Sequence, residues 1–77
     1  MIDIRNDNVC LKVITFDGVK WTVTAIIDGE TTEKTFEGIE GTWCYVESFR
    51  EKFDMQEWEY FLDDLFLESK QYEQETE

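Results

Sequence analysis

The residues with chemistry in them are carboxylates. Asp54, Glu57, Glu59, Asp63, Asp64, Glu68, Glu73, Glu75 and Glu77 fall within residues 54–77, where Lys70 is the only base. Neighbouring carboxylates act as a general acid and base, or cleave glycosides, when a cleft buries one and raises its pKa. Asp63 and Asp64 adjoin on what reads as an exposed helix face, so that chemistry is not expected. Calcium loops alternate oxygen ligands around a glycine turn. Neither Asp3-Ile4-Arg5-Asn6-Asp7-Asn8 nor Asp28-Gly29-Glu30 has this pattern. The chain has no histidine, which removes imidazole zinc sites, His-based triads and pH sensing near neutrality. Gly-rich phosphate loops are missing too. The expectation is a protein that is not an enzyme and uses no metal and no cofactor, whose carboxylates present charge.

Composition sets the partners of that charge. The chain has 77 residues with 19 Asp+Glu against 7 Lys+Arg, a net charge of −12 and a pI near 4.1. Affinity for nucleic acid comes from cations that displace counterions from phosphates, so direct DNA or RNA binding is not expected. Trp21, Trp43 and Trp58, without cations around them, read as core rather than as a base-stacking platform. Hydrophobic content of 42% with 16% aromatics is too rich for a disordered acidic chain. A chain this short forms one domain, buries only about 60% of its unfolded surface and gains from a dimer interface. Cys10 and Cys44 form no CxxC pair and read as reduced, small buried hydrophobes. With neither a leader-like segment nor a run long enough to span a bilayer, the expected location is the cytoplasm, away from membranes.

A sheet and a helical segment must position the carboxylates. Residues 9–16 and 19–27 are rich in β-branched and aromatic residues and flank Asp17-Gly18, a type I′ hairpin signal. Asp28-Gly29 repeats it and leads into residues 31–37. The fold class is therefore α+β: a three-stranded antiparallel meander over about 9–37, followed by one or two helices packed on one sheet face. With two-residue turns, Ile14, Trp21 and Phe36 align on a core face beside Phe16, Val19, Val23 and Ala25. Lys20, lying opposite Glu37, shares the other face with Thr22, Thr24, Glu33 and Thr35, and Val9, Leu11, Val13 and Ile26 also point there as a candidate self-association surface. Lys12 and Lys34 then fall on the core face, which places them at its rim or requires one turn to be longer.

Residues 42–53 are ambiguous: Trp43-Cys44-Tyr45-Val46 favours a strand, while Tyr45, Phe49 and Phe53 recur at helical spacing, and helix is the reading taken. Asp54 with Glu57 starts a helix in capping-box fashion, and Met55, Trp58, Phe61, Leu62, Leu65 and Phe66 then repeat at three and four over about 54–72. Residues 73–77 form an acidic tail.

On a helical wheel that stripe covers the sheet, and the opposite arc holds Glu57, Glu59, Asp63, Asp64 and Glu68 around Tyr60 and Leu67. Phe53 extends this second stripe if the helix runs back through Asp54. A solvated face that keeps an aromatic-rich chain in solution is the plain reading. Two features speak for more. Glu59/Asp63 and Asp64/Glu68 are like-charge pairs at i,i+4, each costing about 0.2–0.5 kcal/mol. Glu68, Glu73, Glu75 and Glu77 crowd the negative end of the helix dipole. If residues 54–77 are all helical they span about 36 Å, with carboxylates about 4 Å apart along the axis, close to the ~3.4 Å phosphate repeat of one DNA strand. Tyr60 and Leu67 fit three roles: apolar anchors for a partner, a homodimer seam, or the underside of the 42–53 helix.

A small, very acidic, histidine-free domain of this kind resembles the bacteriophage proteins that mimic DNA. The resemblance is one of charge and size and rests on Asp54, Glu57, Glu59, Asp63, Asp64, Glu68, Glu73, Glu75 and Glu77, with no motif shared. It implies a noncatalytic inhibitor in the cytoplasm of a bacterial host, with a basic DNA-binding host protein as partner, the nucleoid-associated protein HU first among the candidates. The contact residues would be Asp54, Glu57, Glu59, Tyr60, Asp63, Asp64, Leu67, Glu68 and Glu73. The alternative from another class is a small acidic homo-oligomeric accessory protein whose acids are a solvation coat.

Overall fold

Two hydrophobic periods, one of two residues and then one of three to four, divide the chain into a sheet and a helical layer. The computed structural model describes residues 2–73. It contains β1 (Ile2–Arg5), β2 (Val9–Thr15), β3 (Lys20–Ile27) and β4 (Glu30–Glu37), then α1 (Ile39–Glu47), a 3-10 turn at Arg50–Lys52, and α2 (Met55–Glu73). The strands lie in chain order, each antiparallel to the next. The meander has four strands rather than three. Ile2-Asp3-Ile4-Arg5 alternates buried and exposed, but four residues with two apolar members are too few for a period to stand out.

The β3–β4 hairpin has the expected form. Asp28 (φ 51°) and Gly29 (φ 86°) make a two-residue turn of the I′ kind, which requires positive φ at both positions. Trp21 lies opposite Phe36, and Lys20 opposite Glu37. The β2–β3 hairpin departs from expectation: Thr15, not Ile14, faces Trp21, and residues 16–19 form the connection. Side chains and backbone fold this longer turn together. Asp17 Oδ1 accepts the backbone N–H groups of Val19 and Lys20 at 2.9 and 3.0 Å. Thr15 Oγ1 donates to the Lys20 carbonyl at 2.7 Å and accepts from Gly18 N, and Trp21 Nε1 donates to the Gly18 carbonyl.

A one-residue slip turns every side chain of a strand to the other face. Val9, Leu11 and Val13 therefore lie in the core and form no self-association surface, while Ile14 joins Ile26 on the uncovered face. Phe16 and Val19, expected inside, are exposed in the turn. Lys12 leaves the core side. Lys34 stays on it opposite Val23, at the exposed β4 edge, with Nζ 5.0 Å from the Tyr45 ring centre.

Both helices pack on one face of the sheet, α1 beneath β3 and β4 and α2 beneath β1. α1 begins three residues before the expected Thr42 and ends at Glu47, where Ser48 N–H and Oγ both bond the Tyr45 carbonyl. The 3-10 turn follows, and Phe53 is extended (φ −127°, ψ 157°). Phe53 thus enters the core and stacks on Trp58 at 5.7 Å, so it does not extend the outward stripe of α2. The inner layer closes over Trp21, Leu11, Val13, Val23, Val46 and Leu65, the five aliphatic side chains each worth about 1.5–3 kcal/mol on full burial. Trp58 Nε1 is buried there without a partner among the described residues, at a cost of about 1–3 kcal/mol. Among the described residues no helix is long and apolar enough to cross a membrane.

Candidate functional site

Three side chains fix the rotation of α2. Trp58, Phe61 and Leu65 are fully buried, and at 100° per residue they hold one narrow arc of the helix inward. Asp54 supplies the N-cap: its carboxylate accepts Gln56 N–H at 3.1 Å and its carbonyl accepts Trp58 N–H, a cap worth about 1 kcal/mol. At the far end the Tyr72 ring lies against Gly18, where any Cβ would overlap it. The helix is thereby pinned at its start, its middle and its end.

That rotation leaves Asp54, Glu57, Glu59, Tyr60, Asp63, Asp64 and Leu67 exposed, with Glu68 half-buried. Tyr60 and Leu67 are 63% and 60% exposed, so α1 does not cover them. Glu73 closes the helix, and its side chain lies outside the described residues, as do Glu75 and Glu77 of the expected acidic tail. Met55 and Phe66, expected to face the sheet, are 66% and 49% exposed. They sit at the border of the buried arc, where α2 turns toward α1 and the two helices do not close.

Five carboxylates, those of Glu57, Glu59, Asp63, Asp64 and Glu68, therefore run along the helix over about 16 Å, about 4 Å apart on average, near the ~3.4 Å phosphate spacing of a DNA strand. Glu57 and Asp54 stand at the favourable positive end of the dipole. Asp63 and Asp64 project about 100° apart on open surface, and neither sits in a cleft. Lys70 Nζ lies 4.8 Å from the Phe66 ring centre, a cation–π position worth about 0.5–1 kcal/mol at an exposed site. Among the described residues no three Cys, Asp or Glu gather closely enough to hold a metal. Cys10 is half-buried on the uncovered sheet face and Cys44 is exposed on α1, so neither is the small core hydrophobe expected.

Sequence reasoning missed the flank of α1. Ile39, Glu40, Trp43 and Glu47 line two hollows between the helices, of about 260 and 270 Å³. Their spacing of one, four and eight residues from Ile39 is a helical period, hidden by placing the helix start at Thr42. Comparison with protein-family models, with curated proteins and with solved structures gives no match.

Proposed function

We propose that this protein is a noncatalytic DNA mimic, encoded by a bacteriophage and acting in the cytoplasm of its bacterial host. In this reading α2 offers its carboxylate row to the basic DNA-binding surface of a host protein and displaces nucleic acid. The observation that carries the reading is the outward face of α2. Glu57, Glu59, Asp63, Asp64 and Glu68 surround Tyr60 and Leu67, and no other described element covers them. A row of anions without a pattern of donors suits a partner that grips DNA without reading sequence, and HU is the favoured target. Tyr60 and Leu67 supply the apolar contact that charge alone lacks, since aromatic anchors carry much of an interface's energy.

A homo-oligomeric accessory protein is the second reading, favoured by the exposure of Tyr60 and Leu67 alone. It fares worse on charge, because a two-fold interface sets a patch against its own copy and would bring the same carboxylates face to face.

The test is displacement. Added to HU bound to a fluorescent DNA duplex, the protein is expected to release the DNA, with an affinity that falls steeply as salt rises because the charges are at the surface. HU that keeps its DNA at every protein concentration would sink the target. Failure against a panel of basic DNA-binding proteins would sink mimicry altogether.

A further inference from the structure

α1 and α2 run antiparallel, the start of α1 beside the end of α2, and they leave two separate hollows along their seam. Ile39, Glu40, Trp43, Phe66 and Ser69 line one, of about 260 Å³. Glu47, Arg50, Met55, Glu59 and Leu62 line the other beside buried Trp58, about 270 Å³. Each has an apolar floor and a charged lip. Phe66 and Met55, the exposed apolar residue of each, are eleven positions apart on α2, about 16 Å along its axis.

From this geometry we infer that the seam is a docking groove for a basic amphipathic helix of the partner, which inserts one apolar side chain into each hollow. The inference rests on the reading that cationic partners approach the helical side, and it adds what such a partner must carry. Charge selects the occupant. Glu40, Glu47 and Glu59 stand at the lips against Arg50 and against Lys70, whose Nζ lies over the Phe66 ring, so acids still outnumber bases there, on a chain of net charge −12. A lysine- or arginine-rich helix relieves that repulsion, whereas a second copy of this chain brings the same acids to the same place. Spacing selects the anchors. Two pockets about three helical turns apart match apolar residues at i and i+11 on one face of a partner helix. Duplex DNA, which the acidic row imitates, has no counterpart of these hollows, so the groove lets the protein prefer a protein target over any other polycation.

Two synthetic 16-residue lysine–alanine helical peptides of equal charge test this with the full chain, one carrying leucines eleven positions apart and the other alanines there. Titration calorimetry is expected to show the leucine peptide binding at least tenfold more tightly. Phe66→Gln and Met55→Gln, both at exposed positions, should each remove most of that preference, while Ile26→Gln on the uncovered sheet face leaves it intact. Equal affinity for the two peptides, or a preference that survives both groove variants, overturns the inference. So does sedimentation of the peptide-free protein as a dimer that Phe66→Gln dissociates, since the groove would then belong to a second copy. The triple variant Asp63→Asn, Asp64→Asn, Glu68→Gln distinguishes this from mimicry. It is expected to lose DNA displacement while keeping the leucine preference, because none of the three residues lines a hollow. Loss of the preference in proteins that still displace DNA would overturn the groove and spare the mimic.

Discussion

The outward face of α2 and the uncovered face of the sheet meet the same solvent and arrange charge in opposite ways. On the sheet, Asp3 lies opposite Lys12 and Lys20 opposite Glu37. The face as a whole sets Asp3, Glu33 and Glu37 against Arg5, Lys12 and Lys20, with threonines, Ile14, Ile26 and Cys10 between them. Opposite charges across strands stabilise a sheet by about 0.2–1 kcal/mol per pair. On α2, Glu59 sits one turn from Asp63 and Asp64 one turn from Glu68, and both pairs repel. On the sheet, signs are mixed and neighbours complement each other. The helix pays a local cost that its own chain does not offset. A surface kept in that condition is suited to being met by positive charge from outside.

Neutralising the two faces in turn breaks or sharpens the contrast most strongly. Asp63→Asn, Asp64→Asn, Glu68→Gln is expected to weaken binding to a basic target about 100-fold, on the order of 1 kcal/mol per charge. Thermal stability should hold or rise slightly, since the repulsion of both like-charge pairs is removed. The matched set on the sheet, Asp3→Asn, Glu33→Gln, Glu37→Gln, likewise removes three negative charges and should leave that affinity within about twofold. Fluorescence anisotropy with HU measures both. Equal losses from the two faces would mean that net charge, not the row on α2, is what partners sense.

Next in size is the fastening of α2 to the sheet. Gly18 has φ +76° and its absent Cβ leaves room for the Tyr72 ring. Left-handed backbone costs a residue with a Cβ about 1–2 kcal/mol, and the overlap adds to it, so Gly18→Ala should lower Tm by roughly 5–15 °C at this chain length. The double variant Gly18→Ala, Tyr72→Ala should be less destabilised than the two singles together, because the overlap is gone. Strict additivity in a thermal-melt cycle would show that the last turn of α2 does not bear on this turn.

These same two places separate what could be read in the sequence from what could not. α2, its cap at Asp54 and its outward acids follow from a period sustained over five turns, and the Asp28-Gly29 turn from two residues that tolerate positive φ. The β2–β3 turn carries the same Asp-Gly signal yet leaves five residues rather than two between its last paired positions, Thr15 and Trp21, because Asp17, Thr15 and the Trp21 indole each find a backbone partner in the wider loop. Local propensity cannot weigh those bonds, and the one-residue error inverts β2. The hollows between α1 and α2 depend on where α1 begins and how far the helices fail to close, which are properties of packing rather than of either segment.

Single charge reversals should give opposite signs on the two faces, with smaller effects. Glu59→Lys replaces a repulsive pair by an attractive one with Asp63 and should stabilise the protein by about 0.4–1 kcal/mol, the two contributions together. Lys12→Glu faces a carboxylate at Asp3 with another and should destabilise by roughly 0.5–1 kcal/mol. Urea melts resolve both. If the two variants move stability in the same direction, the contrast between the surfaces is not one of local charge pairing.

The smallest expected effect is also the most local, and it bears on the turn that carries α2's far anchor. The Asp17 carboxylate accepts hydrogen bonds from the backbone N–H of Lys20 and then of Val19, which hold it below its ordinary value of 3.8. A carboxyl whose pKa is lower in the folded chain than in the unfolded one stabilises the fold fully above the unfolded value, and that contribution disappears as pH falls through the folded one. The stabilisation is therefore constant from neutrality down to about pH 4 and lost below it. Asp17→Asn keeps an oxygen in place but not its charge, so the variant should be slightly less stable than the wild type at pH 7, and the gap should close in strong acid. Comparing the two proteins at each pH cancels the general relief of repulsion as the net charge shrinks toward the pI. The amide shifts of Val19 and Lys20 should titrate together with the carboxyl, below 3.8. Titration at or above 3.8, or a gap that persists in acid, would mean that the turn holds its shape through Thr15 and Trp21 without help from this charge.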